Sequence, residues 1–372
     1  MIYFDNSATT KMSDGCIKAM CDAMQDTFAN ASSLHTAGVR AHKIIDEARK
    51  NLSLSLGCNA QEIFFTSGGT YSNNLAIMSA VNMLCRRGKK IVVNSTEHPS
   101  VLECVASLEQ KGYEIVYCDM RDTDKLNEII DKNTILVCCM LVNNETGLVL
   151  PVDKIKSIID KNGSPALFHV DAVQAFGKMP VNVKKIKCDF LTVSAHKING
   201  PKGVGALYVR KGVRLSPIVF GGEQESGFVP GTYNTPAIAG FSQAVTELKT
   251  KSYDTLKNLY EHFVCRMSEF DFIKHNYFEN HAHHIINITF DGYLGENVLH
   301  YLENFGIYAS QGSACSSHSK QKGKVIQILG ADKKTADGSL RISFDYNNTI
   351  EQIDEFFEAC SNIPEKLIKL YK

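Results

Sequence analysis

The chain has 372 residues, enough for one large domain or two domains of medium size. Hydrophobic residues make up 44% and charged residues 22% of the sequence, which is typical of globular proteins and excludes a disordered, collagen-like or coiled-coil chain. The 40 basic and 40 acidic residues give a formal charge of zero, so composition offers no argument for direct binding to nucleic acid or to an anionic membrane.

Seven short runs rich in β-branched and aromatic residues predict buried strands between about residues 60 and 220. They lie at 62–66, 90–94, 114–118, 134–141, 166–170, 190–194 and 205–210. Helical patterns, for example at 71–85, 100–111 and 152–160, lie between them. Strands joined by helical crossovers predict an α/β fold, a mostly parallel seven-stranded sheet with helices on both faces.

Beyond residue 240 the pattern changes to that of a smaller α+β part. A helical stretch reaches about residue 270, and strands are predicted at 284–290 and 339–344, with a helix near 295–305 between them. We predict a large domain at 13–245 and a small domain formed by 1–12 and 246–372.

Nothing near Met1 has the pattern of a signal peptide. The longest apolar run, 135–142, is far shorter than the roughly 20 residues that span a bilayer. The 12 cysteines include no CxxC motif, so we expect most of them to be buried, reduced residues. These features predict a soluble cytoplasmic protein without membrane contact.

Polar side chains follow five of the predicted strands, at the edge of the sheet where ligands of such folds bind. A lone strand-end histidine or lysine is usually structural, whereas five such ends point to a shared site. The residues are Ser67–Thr70 (SGGT), Glu97 with His98, Asn143–Gly147 (NNETG), Asp171 with Gln174, and His196 with Lys197.

These residue types match the requirements of pyridoxal 5'-phosphate. That cofactor needs a lysine for a Schiff base, a carboxylate that keeps its pyridine nitrogen protonated, and a cradle for its phosphate. Lys197 can supply the first and Asp171 the second, and they are one strand–helix–strand step apart. Thr70 with its preceding glycines can supply the third.

The sequence resembles the class V aminotransferase superfamily and, within it, the cysteine desulfurases with a long catalytic loop. The resemblance covers nearly the whole chain, from Tyr3 to about Thr349, in motifs that occur in the family order. They are Tyr3–Thr10 (YFDNSATT), Ser32–Gly38 (SSLHTAG), Phe65–Asn74 (FTSGGTYSNN), Thr96–Pro99 (TEHP), Val142–Gly147 (VNNETG), His169–Gln174 (HVDAVQ), Ser194–Gly203 (SAHKINGPKG), Gly231-Thr232, His284–Phe290 (HIINITF), Gln311–Ser317 (QGSACSS) and Leu340–Phe344 (LRISF).

The resemblance implies the type I pyridoxal-phosphate fold and a homodimer with shared active sites. Lys197 would carry the cofactor, and His98 would stack on its ring. Asp171 would pair with the ring nitrogen, and Gln174 would bond the phenolic oxygen. The phosphate would be held by Gly69, Thr70, Ser194, His196 and, from a second subunit, Thr232.

For the substrate, the resemblance assigns Asn144 and Arg341, with Arg341 clamping the carboxylate and Asn144 also contacting the cofactor. Lys197 would remove the Cα proton of L-cysteine, and His98 would serve as an acid–base group.

Cys315 is unlike the other cysteines because it lies among small and polar residues that predict a loop, with nearby lysines that favour a thiolate. The family's nucleophilic cysteine occupies this motif. By resemblance, Cys315 would take sulfur from L-cysteine, leave L-alanine, and hand the persulfide sulfur to an acceptor protein of iron–sulfur cluster assembly or tRNA thiolation.

Other interpretations stay open at this point. A pyridoxal-phosphate-dependent lyase acting on cysteine or selenocysteine, or an aminotransferase, would need no thiol at Cys315. A non-catalytic scaffold would have no reason to keep Lys197, Asp171 and Arg341. The histidines of 281–284 have no Cys or carboxylate nearby in sequence, so we expect a structural role and no metal. Val229 stands where the family usually has an arginine before the Pro-Gly-Thr turn. The phosphate rim or the subunit contact therefore lacks that positive charge.

Overall fold

The structure is a computed structural model that describes residues 1–312 and 324–370. It divides into two compact units. The larger unit consists of Lys11–Leu141 and Leu150–Thr250, and the smaller one of Met1–Thr10, Val142–Val149 and the described part of Lys251–Lys372.

The strands and helices of the described residues are numbered in chain order. The strands are β1 (Ile2–Tyr3), β2 (Ile63–Thr66), β3 (Lys90–Asn94), β4 (Glu114–Cys118), β5 (Thr134–Cys138), β6 (Leu167–Asp171), β7 (Phe190–Ser194), β8 (Gly205–Val209), β9 (Ile273–His275), β10 (Ile285–Phe290), β11 (Ile307–Tyr308) and β12 (Ser339–Ser343). The helices are α1 (Asp14–Asp26), α2 (Thr36–Leu56), α3 (Gly69–Leu84), α4 (Pro99–Glu109), α5 (Thr123–Ile129), α6 (Val152–Lys161), α7 (Val183–Ile186), α8 (Thr235–Glu247), α9 (Tyr253–Met267), α10 (Gly295–Glu303), α11 (Lys324–Ile328), α12 (Lys333–Asp337), α13 (Ile350–Ser361) and α14 (Ile363–Lys366).

The larger unit is built on a seven-stranded sheet in the order β2-β8-β7-β6-β5-β3-β4. The strands β3 to β7 run parallel, and β8 is antiparallel to both β7 and β2. Every residue of β5, β7 and β8 is buried, as expected for strands covered on both faces. The predicted mostly parallel seven-stranded sheet is confirmed, and β8 is the strand in it that runs antiparallel to its neighbours.

Strand boundaries differ from the prediction mainly at β5, which ends at Cys138 rather than at residue 141. Beyond it the chain leaves the regular ladder but stays next to β6, since the Cys139 N–H donates to the His169 carbonyl and the Leu141 N–H to the Asp171 carbonyl. This continued pairing explains the long apolar run, which is buried throughout.

The smaller unit contains an antiparallel sheet in the order β12-β10-β9 and the parallel pair β1 and β11. Its core is rich in aromatic rings. Phe263 lies 4.8–5.8 Å, between ring centroids, from Phe344, Phe356 and Phe357, and Phe4 packs edge-on against Phe344. This is the small α+β part predicted from the sequence.

The segment 142–149 was placed in the large domain by the sequence prediction but groups with the smaller unit here. Leu148 forms a bridge with His281, and the Val149 N–H donates to the Asn280 carbonyl at 2.9 Å. Gly147 has φ +74, and a Cβ on it would lie 2.6 Å from the Ile285 carbonyl oxygen, so only glycine fits this close approach.

None of the helices in the described part of the chain is long and apolar enough to cross a membrane.

Candidate active site

The predicted site residues of the larger unit gather at one edge of its sheet, because neighbouring parallel strands end there. The strands β6 and β7 are hydrogen-bonded neighbours, with Asp171 in register with Thr192. Asp171 ends β6, and Lys197 lies three residues after the end of β7. The expectation that these two side chains come from nearby strands is confirmed.

Asp171 is buried and held on both of its oxygens. Its Oδ2 accepts a hydrogen bond from Asn73 Nδ2 at 2.7 Å, and its Oδ1 accepts one from the Val173 N–H at 2.9 Å. These two donors fix the plane of the carboxylate. A carboxylate in a fixed direction at a strand end is suited to pairing with a protonated ring nitrogen.

His98 is the N-cap residue of α4, which begins with Pro99. Its Nδ1 accepts from the Ser100 N–H at 3.1 Å and lies 2.8 Å from Ser100 Oγ. Burial lowers the pKa of His98, the positive charge of Lys197 lowers it further, and the charge of Asp171 acts in the opposite direction. The imidazole is therefore neutral near pH 7. The two charged groups that act on its pKa, Asp171 and Lys197, are also predicted site residues.

Lys197 is half-buried and lies in a tight turn of 3-10 helix, Ala195–Lys197. The N–H groups of Ile198 and Gly200 both donate to the Ala195 carbonyl at 3.0 Å. Asn199 has φ +64 and donates through Nδ2 to the Lys11 carbonyl at 3.0 Å. This backbone fixes the base of the lysine side chain at the sheet edge.

A glycine-rich turn leads from β2 into α3, as the sequence predicted. Gly68 has φ +144, and a Cβ on it would meet no atom within 4 Å, so the turn faces open space. Gly69 and Thr70 form the first turn of α3, where N–H groups have no acceptor within the helix. The turn thus offers backbone donors and an exposed threonine to an anion.

Two further predicted phosphate ligands follow β7. Ser194 is buried at the end of that strand, and His196 is half-buried. Burial, followed by the charges of Lys197 and Lys202, lowers the pKa of His196 to about 4. His196 is therefore a neutral hydrogen-bonding group near pH 7 rather than a cation.

Thr232 and Val229 line a cavity of about 240 Å³ together with Thr66, Ser67 and Gly203. Thr232 therefore lies near the glycine-rich turn of its own chain. The predicted contribution of Thr232 from a second subunit stays a prediction, because only one chain is described.

Glu97 is a site residue to which the sequence assigned no role. It is buried, its Oε1 accepts from the Met140 N–H and from Asn94 Nδ2, and its Oε2 has no hydrogen-bond partner among the described residues. Burial and then the negative charge of Asp171 raise the pKa of Glu97 to about 8. Glu97 is therefore mainly protonated, and so uncharged, near pH 7.

The predicted substrate ligands, Arg341 and Asn144, lie together in the smaller unit. Arg341 is 1% exposed, and its Nη1 donates to the Asn144 carbonyl at 2.9 Å. Its Nη2 forms an ion pair with Asp5 at 2.6 Å, and its Nε has no hydrogen-bond partner within residues 1–312 and 324–370. Asp5, which the sequence did not single out, is thus the counter-ion of the proposed clamp.

Cys315 lies outside the described residues. Of the other cysteines, three are exposed, Cys21, Cys85 and Cys265, and eight are buried or half-buried. Burial raises the pKa of each of these eight thiols. They are therefore poor nucleophiles.

Two of the histidines of 281–284, His281 and His283, pack against the ring of Tyr260. The His281 ring lies 4.5 Å from the Tyr260 ring, and its Nδ1 is 3.1 Å from the Phe278 carbonyl. Over the described ranges, no group of three or more His, Cys, Asp or Glu side chains could hold a metal ion.

The donors of the larger unit fit pyridoxal phosphate. They include a buried carboxylate for the ring nitrogen, a half-buried lysine, a neutral imidazole, and an open glycine turn at a helix N-terminus. Gln174 is buried three residues beyond Asp171. The fit rests on the chemistry of these groups and on the free space above Gly68.

Comparison with known proteins gives matches along nearly the whole chain. Residues 2–356 match the aminotransferase class-V family. A protein of Methanosarcina thermophila named cysteine desulfurase IscS is 38% identical, and the alignment covers 98% of this chain and 92% of that protein. The structure of a NifS-like protein has a TM-score of 0.92 at 32% identity and covers 98% of this chain and 100% of its own. A structure of SspA in complex with cysteine has a TM-score of 0.84 at 31% identity, with 94% and 100% covered.

Proposed function

The chain belongs to the class-V aminotransferase family, and we propose that it is a cysteine desulfurase, a pyridoxal-phosphate-dependent sulfurtransferase that converts L-cysteine to L-alanine and a protein-bound persulfide. The observation that carries this proposal is the group of Asp171, His98 and Lys197 at one sheet edge, beside an open glycine turn. Full-length similarity to proteins named cysteine desulfurase supports the choice of reaction within the family.

Pyridoxal phosphate, when bound, supplies a ring that stabilises negative charge on the substrate Cα. Lys197 and Asp171 would hold it, and Gln174 would bond its phenolic oxygen. The phosphate would be held by Gly69, Thr70, Ser194, His196 and Thr232. Lys197 then accepts the Cα proton on Nζ. Neutral His98, whose Nδ1 is occupied by Ser100, presents Nε2 for proton exchange at the substrate.

The substrate carboxylate binds to Arg341, and the Arg341–Asn144 contact sets the direction of the guanidinium. Since Asp5 already accepts from Nη2, this ion pair holds the guanidinium in one plane before substrate arrives. Asn144 would be the second substrate ligand and would also contact the cofactor.

Cys315 is the nucleophile of this proposal. Its thiolate attacks the sulfur of L-cysteine, the Cβ–S bond breaks, and a proton completes the methyl group of L-alanine. One sulfur atom moves to Cys315 as a persulfide, so no external oxidant or reductant enters this step. A thiol of an acceptor protein then takes the sulfur, for iron–sulfur cluster assembly or tRNA thiolation.

The enzyme is proposed to work as a homodimer, with Thr232 completing the phosphate site of the partner subunit. The cytoplasmic location and the absence of direct contact with nucleic acid or membrane, both expected from the sequence, stay predictions. Sedimentation of the wild-type protein at several concentrations tests the dimer, and a monomer at all concentrations would contradict it.

Product analysis tests the reaction. The protein loaded with pyridoxal phosphate is given L-cysteine and a thiol reductant, and alanine, sulfide, pyruvate and ammonia are measured. We expect alanine and sulfide in equal amounts from the wild type and from Cys265→Ser, which removes an exposed thiol of α9. Cys315→Ser should abolish both products while the protein still binds the cofactor.

The rival reaction is β-elimination or transamination by a lyase or aminotransferase of the same family. Pyruvate and ammonia from the wild type would favour that rival. Alanine formation that survives in Cys315→Ser would remove Cys315 from its role.

A further inference from the structure

The side chain of Asn73 connects two residues of the proposed site that lie on different elements. Asn73 is in the second turn of α3 and is 1% exposed. Its Nδ2 donates to Asp171 Oδ2 at 2.7 Å and to Ser100 Oγ at 2.8 Å. Both hydrogens of one amide are therefore used, one toward the carboxylate of β6 and one toward the hydroxyl of α4.

The orientation of this amide follows from its neighbours. A carboxylate oxygen accepts hydrogen bonds, so the NH₂ group must face Asp171, and the opposite orientation would set two oxygens against each other. Asn73 Oδ1 is buried and has no hydrogen-bond partner in the described part of the chain. A buried acceptor without a donor is costly, which indicates that the two donated bonds decide the orientation.

The connection continues from Ser100 to His98. Ser100 Oγ accepts from Asn73, so its own proton is free to point to His98 Nδ1, 2.8 Å away. The Ser100 N–H donates to the same nitrogen at 3.1 Å. With two donors on Nδ1, the ring proton of neutral His98 is on Nε2, and adding a proton to Nδ1 would require both donors to turn away.

We propose that Asn73 is a positioning residue that holds the Asp171 carboxylate in place and, through Ser100, keeps His98 neutral with its proton on Nε2. This inference rests on the proposed function, which gives Asp171 and His98 their roles at the cofactor. The charged groups that act on His98 are Asp171 and Lys197, and neither is altered by the substitutions below.

Three variants separate the effect of the Asn73–Asp171 hydrogen bond from that of the Asn73–Ser100 hydrogen bond, which leads to His98. Asn73→Leu removes both donated bonds at similar side-chain volume. Ser100→Ala removes only the hydroxyl that links Asn73 to His98, and it leaves the Asn73–Asp171 hydrogen bond in place. Asn82→Leu, the same substitution at an exposed position of the same helix, is the control. If the leucine at 73 prevents folding, Asn73→Asp keeps the shape and replaces one NH₂ donor with an oxygen facing Asp171.

Two measurements are needed. The first is the dissociation constant of pyridoxal phosphate by equilibrium dialysis. The second is the titration of the His98 ring by NMR of protein labelled with ¹³C at histidine Cε1, assigned with His98→Asn. Asn73→Leu should weaken cofactor binding about tenfold, the typical effect of one hydrogen bond to a charged group, and raise the pKa of His98. Ser100→Ala should raise the pKa of His98 and leave cofactor affinity within about twofold, and Asn82→Leu should change neither.

Unchanged cofactor affinity and unchanged His98 titration in Asn73→Leu and Asn73→Asp would overturn the inference. Equal loss of affinity in Ser100→Ala and Asn73→Leu would also overturn it, because the effect would then be general loosening. A wild-type protein that does not bind pyridoxal phosphate at all would instead contradict the proposed function.

Discussion

The buried carboxyl group of Glu97 makes the stability of the protein depend on pH in a direction that can be worked out. The pKa of Glu97 is raised from an ordinary 4.5 to about 8, first by burial and then by the charge of Asp171. Between these values the folded state keeps a proton that the unfolded state releases. The stabilisation linked to Glu97 is therefore complete below pH 4.5 and is lost as pH rises through 8.

Glu97→Gln removes this dependence because glutamine does not titrate. One pKa unit corresponds to about 1.4 kcal/mol, so the shift of Glu97 amounts to at most about 5 kcal/mol over the whole range. The amide nitrogen of glutamine would replace Oε2, which has no partner among the described residues, and this adds a cost of about 1–2 kcal/mol that does not vary with pH. The test of the raised pKa is therefore how the difference in free energy of unfolding between variant and wild type changes with pH, and not the size of that difference at one pH.

Urea unfolding of the wild type and of Glu97→Gln at fixed protein concentration, between pH 5.5 and 8.5, measures that slope. The free energy of unfolding of the variant relative to the wild type should rise by up to about 1.4 kcal/mol per pH unit below pH 8. Glu109→Gln, the same substitution at an exposed position of α4, is the control against which the slope is compared. A difference that is flat, or that falls with pH, would refute the assignment of Glu97 as a neutral residue beside Asp171.

Two further predictions concern other parts of the structure. Asp5→Asn leaves the buried Arg341 without its counter-ion and should lower the free energy of unfolding by about 3 kcal/mol, whereas Asp22→Asn, at an exposed ion pair of α1, should leave it nearly unchanged. Equal urea midpoints for these two variants would show that the Arg341 pair is not stabilising. Gly205→Ala would place a Cβ 2.8 Å from Gly68 Cα. Thermal unfolding should show a loss of stability of about 1–3 kcal/mol, and the variant should retain pyridoxal phosphate more weakly. Wild-type stability of this variant would mean that the turn before α3 can shift freely.

Local sequence patterns were enough to predict the strands of the larger sheet, because the short length and the β-branched and aromatic content of these runs distinguish them from helices. The direction of β8 was not predictable from its composition, since its burial is the same as that of its parallel neighbours. The segment 142–149 groups with the smaller unit, which local sequence could not indicate because its partners, such as His281 and Ile285, are far away in sequence.

Some residues of the candidate site could likewise be predicted from local sequence, and others could not. His98, Asp171 and Lys197 were found because each follows a predicted strand, and strand ends converge. Asn73 was inside a recognised motif, yet its partners are 27 and 98 positions away, and a lone asparagine in a helix has no distinguishing signal. Asp5 is 336 positions from Arg341, so their pairing becomes visible only in three dimensions.

The distribution of thiols bears on where a transferred sulfur atom can go after the reaction. A persulfide passes its outer sulfur to a thiolate, and a thiol with a raised pKa that is buried is seldom a thiolate and seldom reached. Cys138, Cys139 and Cys360 are fully buried examples. In the described residues, only Cys21, Cys85 and Cys265 are exposed to compete for that sulfur. The packing of the core thus shields most of the chain's described cysteines from exchange with a persulfide.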